Sequence, residues 1–332
     1  MTNNIATTPL GIVCRAPLVL AGWWYSSDPI ARLEICADGI RDQTASIIIF
    51  NAWSAIDRDR RGELNATANN YEKYRTNYPN HELLFAANDA AELDILTRFK
   101  LPAMTLNHNA FYINTQSFFI EQVPKRYNAI YNAQIAPYKR HELLSAINNA
   151  CLIAASFNSV YYSRIKDSIK HCTFANGIPD RAPLKKLQAA EVNRLCCESK
   201  VGLCVSRTEG AMLASTEYLL CGIPVVTTKS EGGRDAMFSD KYVSVASDNP
   251  QAIADAVKQL ADRNICPHEI REATVRQIFQ IRHQLFAHLI SRYAAHSVSI
   301  DELNLFNAIV GCKKFPWSQY TSETLKIALT KR

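Results

Sequence analysis

Two carboxylates, Glu209 and Glu217, stand eight positions apart in the run Glu209-Gly210-Ala211-Met212-Leu213-Ala214-Ser215-Thr216-Glu217. The chain continues through Cys221-Gly222-Ile223-Pro224-Val225-Val226, a glycine followed by an apolar strand. Over a helix, eight residues rise about 12 Å, roughly the span from a sugar ring across a diphosphate to a ribose. A helix N-terminus between the two acids offers an anion free N–H groups and a favourable dipole. The spacing therefore fits a site that grips both ends of a nucleotide-diphosphate sugar. Gly210 permits close backbone approach, and the small side chains of Ala211, Ala214 and Ser215 leave room beside the helix. Val201-Gly202-Leu203-Cys204-Val205 reads as a buried strand. Glu209 then follows its carboxyl end through Ser206-Arg207-Thr208, and at that edge open α/β sheets bind ligands. The plainer alternative is a pair of solvated helix carboxylates.

Other polar groups fall at similar places. Lys139 and Arg140 follow the strand Asn128-Ala129-Ile130-Tyr131, at the start of a helix expected over Lys139–Asn149. Cations at a helix N-terminus oppose its dipole, and a bound anion would offset that; a basic, solvent-facing helix start is the alternative. Asn107-His108-Asn109 opens from the strand Ala103–Leu106, with His108 as a site group or simply a satisfied structural histidine. Ser230-Glu231-Gly232-Gly233-Arg234-Asp235 follows the strand Val225–Thr228. Its two glycines permit an anion-binding loop, with Gly233 and Arg234 contacting phosphate or acceptor, or else a surface turn. Asn176-Gly177-Ile178-Pro179 is a turn signal.

Strands and helices alternate along the chain, which places these groups on parallel sheets with helices on both faces. At 332 residues the chain exceeds one ordinary core, so two domains are expected. The reading is a Rossmann-like domain over residues 1–123, a second over 124–285 and a helical tail over 286–332. Asp57 to Asn80 is polar and the least regular part of the first half. The tail carries Lys313-Lys314-Phe315-Pro316-Trp317, a basic-aromatic cluster suited to a membrane interface or, with Trp317 buried, to a contact between domains. The net charge of +6 is mild; it suits anionic small ligands or headgroups and argues against nucleic acid. The ten cysteines form no Cys-x-x-Cys pair, which fits buried thiols in a reducing compartment. Met1 to Leu10 lacks a basic leader region, and no apolar run reaches the ~20 residues that span a bilayer. A cytoplasmic protein is expected, peripheral at most to the inner face of a membrane.

Glu209…Glu217 followed by Gly222-Ile223-Pro224-Val225-Val226 resembles the E-x7-E signature of retaining glycosyltransferases of the two-Rossmann GT-B fold, especially the family 4 type. The usual form reads E-G-x-G-x-x-x-x-E and then G-x-P-V-V; here Met212 replaces the second glycine. The resemblance covers about Arg126 to Asp262, and the first half matches only in its alternation. It implies that Glu209 lies near the donor sugar and the reacting centre, and that Glu217 binds ribose hydroxyls. Backbone N–H groups of Met212 and Leu213 would hold the diphosphate, with Lys139 and Arg140 as the family's basic pair. It implies further that His108 faces the donor sugar across an interdomain cleft, that Gly233 belongs to the family's Gly-rich loop, and that Asn176 lies near the nucleotide base. No Cys/His metal constellation is found, and no Asp-x-Asp of the type that holds a metal–diphosphate in other glycosyltransferases.

The expected activity is transfer of a sugar from a nucleotide-diphosphate sugar to a hydroxyl of a glycan or glycolipid, with retention, no cofactor and no metal. Cell-envelope polysaccharide or lipopolysaccharide assembly follows by analogy. Two rivals stand beside it. A sugar-nucleotide epimerase or phosphorylase of the same fold is separated by product analysis. The other rival is a non-catalytic nucleotide-sugar-binding subunit.

Overall fold

The computed structural model describes residues 7–25, 28–181, 183–296 and 298–330. Residues 1–6, on which part of the leader reading rests, lie outside them. The chain forms two compact units, one of Met1–Tyr112 with Ile278–Arg332 and the other of Ile113–Gln277.

The first unit holds strands β1 (Thr8–Arg15), β2 (Leu18–Trp24), β3 (Ala45–Asn51), β4 (His81–Ala87) and β5 (Ala103–Thr105). Strands β2 to β5 run parallel in sequence order, with β1 antiparallel to β2. β3, Ala-Ser-Ile-Ile-Ile-Phe-Asn, is buried at every position, as a strand covered on both faces should be. Side-chain caps start the helices: the Asp28 carboxylate accepts from the N–H groups of Ile30 and Ala31, and that of Asp89 from Glu92 N–H, each meeting a donor with no partner inside its helix.

Two strands escape the sequence reading. β2 lies in a short apolar run, Leu18-Val19-Leu20-Ala21, to which the sequence reading assigns no element. The C-terminal segment, expected to be mostly helical, adds an edge strand (Ser318–Tyr320) antiparallel to β1. Three residues are too few for an alternating pattern to register. The polar stretch after Asp57 forms two helices, Ala55–Arg60 and Glu63–Asn77, the second burying only Leu64, Thr67 and Tyr74.

The second unit holds β6 (Tyr127–Asn132), β7 (Ala150–Ile153), β8 (Thr173–Phe174), β9 (Ser199–Cys204), β10 (Val225–Thr227) and β11 (Val243–Val245); the C-terminal edge strand of the first unit is then β12. The order across this parallel sheet is β11-β10-β9-β6-β7-β8. The chain winds outward from β6 in one direction and from β9 in the other, so the β6/β9 junction is a topological switch point, where α/β sheets open a crevice at their carboxyl ends.

One expected helix does not form. Between β6 and β7 lie two 3-10 turns, Pro137–Lys139 and His141–Leu144, and Arg140 between them has φ 54°. A left-handed residue cannot continue an α-helix, so Lys139 and Arg140 sit on a turn, and the argument that they oppose a helix dipole falls.

Packing at the switch point needs Gly202 on β9. A Cβ built there would lie 2.4 Å from the Tyr218 ring, and the Tyr218 hydroxyl accepts from Asn132 N–H at the end of β6 (2.6 Å). Gly202→Ala is therefore expected to push the Leu213–Leu220 helix off the sheet and cost about 1–3 kcal/mol. Urea denaturation measures this; an unchanged midpoint would mean that the helix shifts freely.

Candidate active site

Three loops leave the carboxyl ends of the adjacent strands β6, β9 and β10 and tie to one another. Arg207 N–H donates to Tyr138 C=O (3.0 Å), Glu231 N–H to Arg207 C=O (3.0 Å) and Glu209 N–H to Glu231 C=O (3.0 Å). The Tyr131 hydroxyl, inside the sheet, donates to the Lys139 carbonyl (2.7 Å) and so sets the first loop from below. This places the Lys139 ammonium on the Glu209 carboxylate, with both side chains buried. Beside them the His141 imidazole is held neutral, its pKa lowered to about 3 by burial and then by the Lys139 charge.

Glu217 lies within the helix Leu213–Leu220, one turn from its start. It accepts from the Asn132 side-chain amide at the end of β6 (3.1 Å). Burial pushes its carboxyl pKa up to about 7, against the opposing pull of that amide. The two acids thus flank the switch point: Glu209 follows β9, and Glu217 reaches β6. Gly210 and Met212 are buried and Leu213 is exposed. The helix begins at Leu213 with no side-chain cap from Met212, so its dipole and first N–H groups face the loop between the acids.

The two arginines singled out from sequence are committed elsewhere. Arg140 is buried; its Nε donates to Val205 C=O (2.6 Å), its Nη2 to Thr228 Oγ1 (2.6 Å), and its Nη1 pairs with Asp248 (2.7 Å). Arg234 is only 1% exposed, which rules out a surface turn. It follows Gly233 in a 3-10 turn and donates to Ser206 C=O (2.6 Å), Thr227 Oγ1 (2.6 Å) and its own neighbour Asp235 (2.6 Å). Both guanidiniums converge on Thr227-Thr228 and brace the loops behind the acids. The Asn176 side chain is likewise spent on backbone, bonding Ala154 N–H, Ala154 C=O and Lys185 C=O.

His108 belongs to the first unit and follows β5. Its Nδ1 lies 3.1 Å from Asn51 C=O. A carbonyl only accepts, so Nδ1 carries the proton. Behind it stands a polar network that the sequence reading missed. Glu92 is fully buried and accepts from Asn88 N–H (2.9 Å), Asn88 Nδ2 (3.1 Å), Asn51 Nδ2 (3.4 Å) and Ala55 N–H (3.0 Å). Asn88 in turn accepts from His108 N–H (3.2 Å). Burial raises the Glu92 pKa to about 7 although four donors favour its ionised form. The only sequence signal is Asn88-Asp89 after an apolar run, which marks a helix start; Asp89 is the cap, and Asn88 serves the network.

Trp317 is 41% exposed and meets Trp23 of its own unit, so it is not the buried residue expected. Among the described residues no helix is long and apolar enough to cross a membrane, and no group of three or more His, Cys, Asp or Glu is placed to hold a metal ion.

Residues 159–263 match the family model described as Glycosyl transferases group 1, a segment that includes Glu209 and Glu217. No curated protein matches the chain. Among solved structures, Anabaena Alr3699/HepE in complex with UDP and glucose is 11% identical, with a TM-score of 0.60 over 82% of this chain and 77% of that one. AviGT4, a glycosyltransferase involved in avilamycin A biosynthesis, is 12% identical, with a TM-score of 0.52 over 87% and 80%. A mutant of S. aureus TarM, in complex with fondaparinux, alpha-GlcNAc-glycerol and UDP, is 16% identical, with a TM-score of 0.52 over 73% of this chain and half (50%) of that one. At these identities the likeness is one of fold.

Proposed function

We propose, for a chain of GT-B fold whose residues 159–263 match the Glycosyl transferases group 1 family model, that it is a retaining glycosyltransferase using a UDP-sugar donor and a glycan or glycolipid acceptor. The observation that carries this is the pairing of Glu209 with Lys139 at the switch point, with Glu217 bonded from its helix to Asn132 at the adjoining strand end. UDP is taken as the nucleotide because HepE and TarM were solved with it.

In this reading Glu217 accepts from the ribose hydroxyls, and the start of the helix at Leu213 receives the diphosphate. Cleavage of the anomeric C–O bond builds positive charge on the sugar and negative charge on the leaving diphosphate. Glu209 answers the first, and Lys139 with the helix end answers the second, each fixed in place before the bond breaks. Arg140 and Arg234 hold the loops and do not touch phosphate. Retention, by front-side attack or by double displacement, follows from the resemblance, as does a role in cell-envelope polysaccharide synthesis at the cytoplasmic face of a membrane. No cofactor and no metal is assigned.

A thermal-shift screen of UDP, UDP-sugars and sugar nucleotides of other bases tests the assignment. A cognate donor at ~100 times its Kd adds about 2.7 kcal/mol of stability and raises Tm. If none of them stabilises the protein, the proposal fails.

A further inference from the structure

Beside His108, at the carboxyl edge of the first unit's sheet, stands a group of aromatic side chains that the reaction above does not use. Trp23 ends β2 one residue before its last, and Tyr25 follows that strand; their rings stack with centroids 5.5 Å apart and planes inclined by 25°. Trp317 meets Trp23 edge-on at 6.0 Å, and the His108 ring meets it at 5.0 Å. Tyr25 is 53% and Trp317 41% exposed. Next to Tyr25 opens a cavity of about 420 Å³ lined by Tyr25, Ala52, Trp53 and Arg61. Its rim is polar: Trp53 Nε1 donates to Asp57 (2.6 Å), and Arg61 is held by Asp57 and Glu63 at 3.3 Å each. The Tyr112 ring packs against Trp23 with centroids 4.2 Å apart.

We infer that this platform binds a saccharide ring of the acceptor. Scattered apolar residues on a surface need no explanation, but stacked, half-exposed aromatics at the ligand-binding edge of a parallel sheet do. The cavity is within the range of small-molecule sites, which combine aromatic walls with a few placed polar groups. A pyranose matches both: its C–H face lies on a flat ring, and its rim of hydroxyls meets carboxylates and guanidinium. An acyl chain matches only the walls and would leave the Asp57, Glu63 and Arg61 charges desolvated. The inference rests on the glycosyl-transfer reading only in calling the saccharide an acceptor; binding itself needs no donor.

The test uses the whole chain and soluble probes: methyl glycosides of glucose, galactose, mannose and N-acetylglucosamine, with maltotriose, and UDP as a separate ligand. Tryptophan fluorescence and saturation-transfer NMR report binding. At least one saccharide is expected to quench fluorescence and show transfer to its ring C–H protons. Tyr25→Ala and Trp317→Ala should each weaken it by about tenfold, Tyr25→Phe should restore it, and UDP affinity should stay unchanged. Both side chains are solvent-facing, so the variants should fold, and an unaltered Tm checks this. The inference is overturned if no probe binds wild type at millimolar concentration, if both alanine variants bind as wild type does, or if the variants lose UDP affinity, which would make the platform a base-stacking site. Saccharide binding that depends on Tyr25 in a protein that ignores every nucleotide would uphold the platform and sink the donor assignment instead.

Discussion

Glu209→Gln should lower turnover by about 10²- to 10³-fold at saturating donor and acceptor, with little change in UDP affinity. The glutamine keeps the shape and removes the charge that faces the developing cation. Lys139→Met should lose turnover on the same scale but should also lose stability. It leaves the Glu209 carboxylate buried without its partner, a change that costs about 3–5 kcal/mol. Combining Lys139→Met with Glu209→Gln should regain part of that stability and none of the turnover. The double-mutant comparison thus separates folding from chemistry, with denaturation midpoints for one and product formation for the other. Wild-type turnover in Glu209→Gln would remove the catalytic role from that residue.

Glu217→Ala should act on binding, weakening UDP by about 10- to 100-fold through the loss of charge-assisted hydrogen bonds to ribose, with kcat affected less. Its titration adds a sharper test. The carboxyl holds its proton to a pKa of about 7, above the ordinary 4.5. Only the ionised form accepts from both ribose hydroxyls, so nucleoside affinity should rise as pH climbs through 7 and then level off. Uridine, which lacks a phosphate that titrates nearby, is the probe. Glu217→Gln should flatten the profile, and an equally steep profile in that variant would assign the pH dependence to another group. Stability has the opposite sign. Between pH 4.5 and 7 the folded chain holds a proton that the unfolded chain has lost, so stability falls as pH rises through that window and is level above it. Glu92, also shifted up to about 7 by burial, adds to the same slope.

The acidic pair was legible in the sequence because its signal is local. A glycine, small residues and a following apolar strand surround Glu209 and Glu217 within some twenty residues, and a parallel sheet delivers such a block to one edge. Lys139 was legible as a cation after a strand. Its partner was not, since the Lys139–Glu209 contact joins residues seventy positions apart and depends on β6 lying next to β9. Arg140 and Arg234 looked like ligand contacts because burial of a guanidinium leaves no trace in its own neighbours in sequence. The helix expected after Lys139 had sound periodicity and failed at a single dihedral, the positive φ of Arg140. Asn51, Asn88 and Glu92 come from three separate elements, so nothing in their spacing announces that they meet under His108. The aromatic platform is dispersed further still, from Trp23 to Trp317.

That last separation has a consequence for biosynthesis. The second unit is one uninterrupted piece of chain, Ile113–Gln277, whereas the first needs both ends, with β12 pairing with β1 and Leu325 buried in its core. Domains generally complete themselves in the order in which they leave the ribosome. Here that order is inverted: the nascent amino-terminal sheet must wait, with one edge open, until β12 has been made.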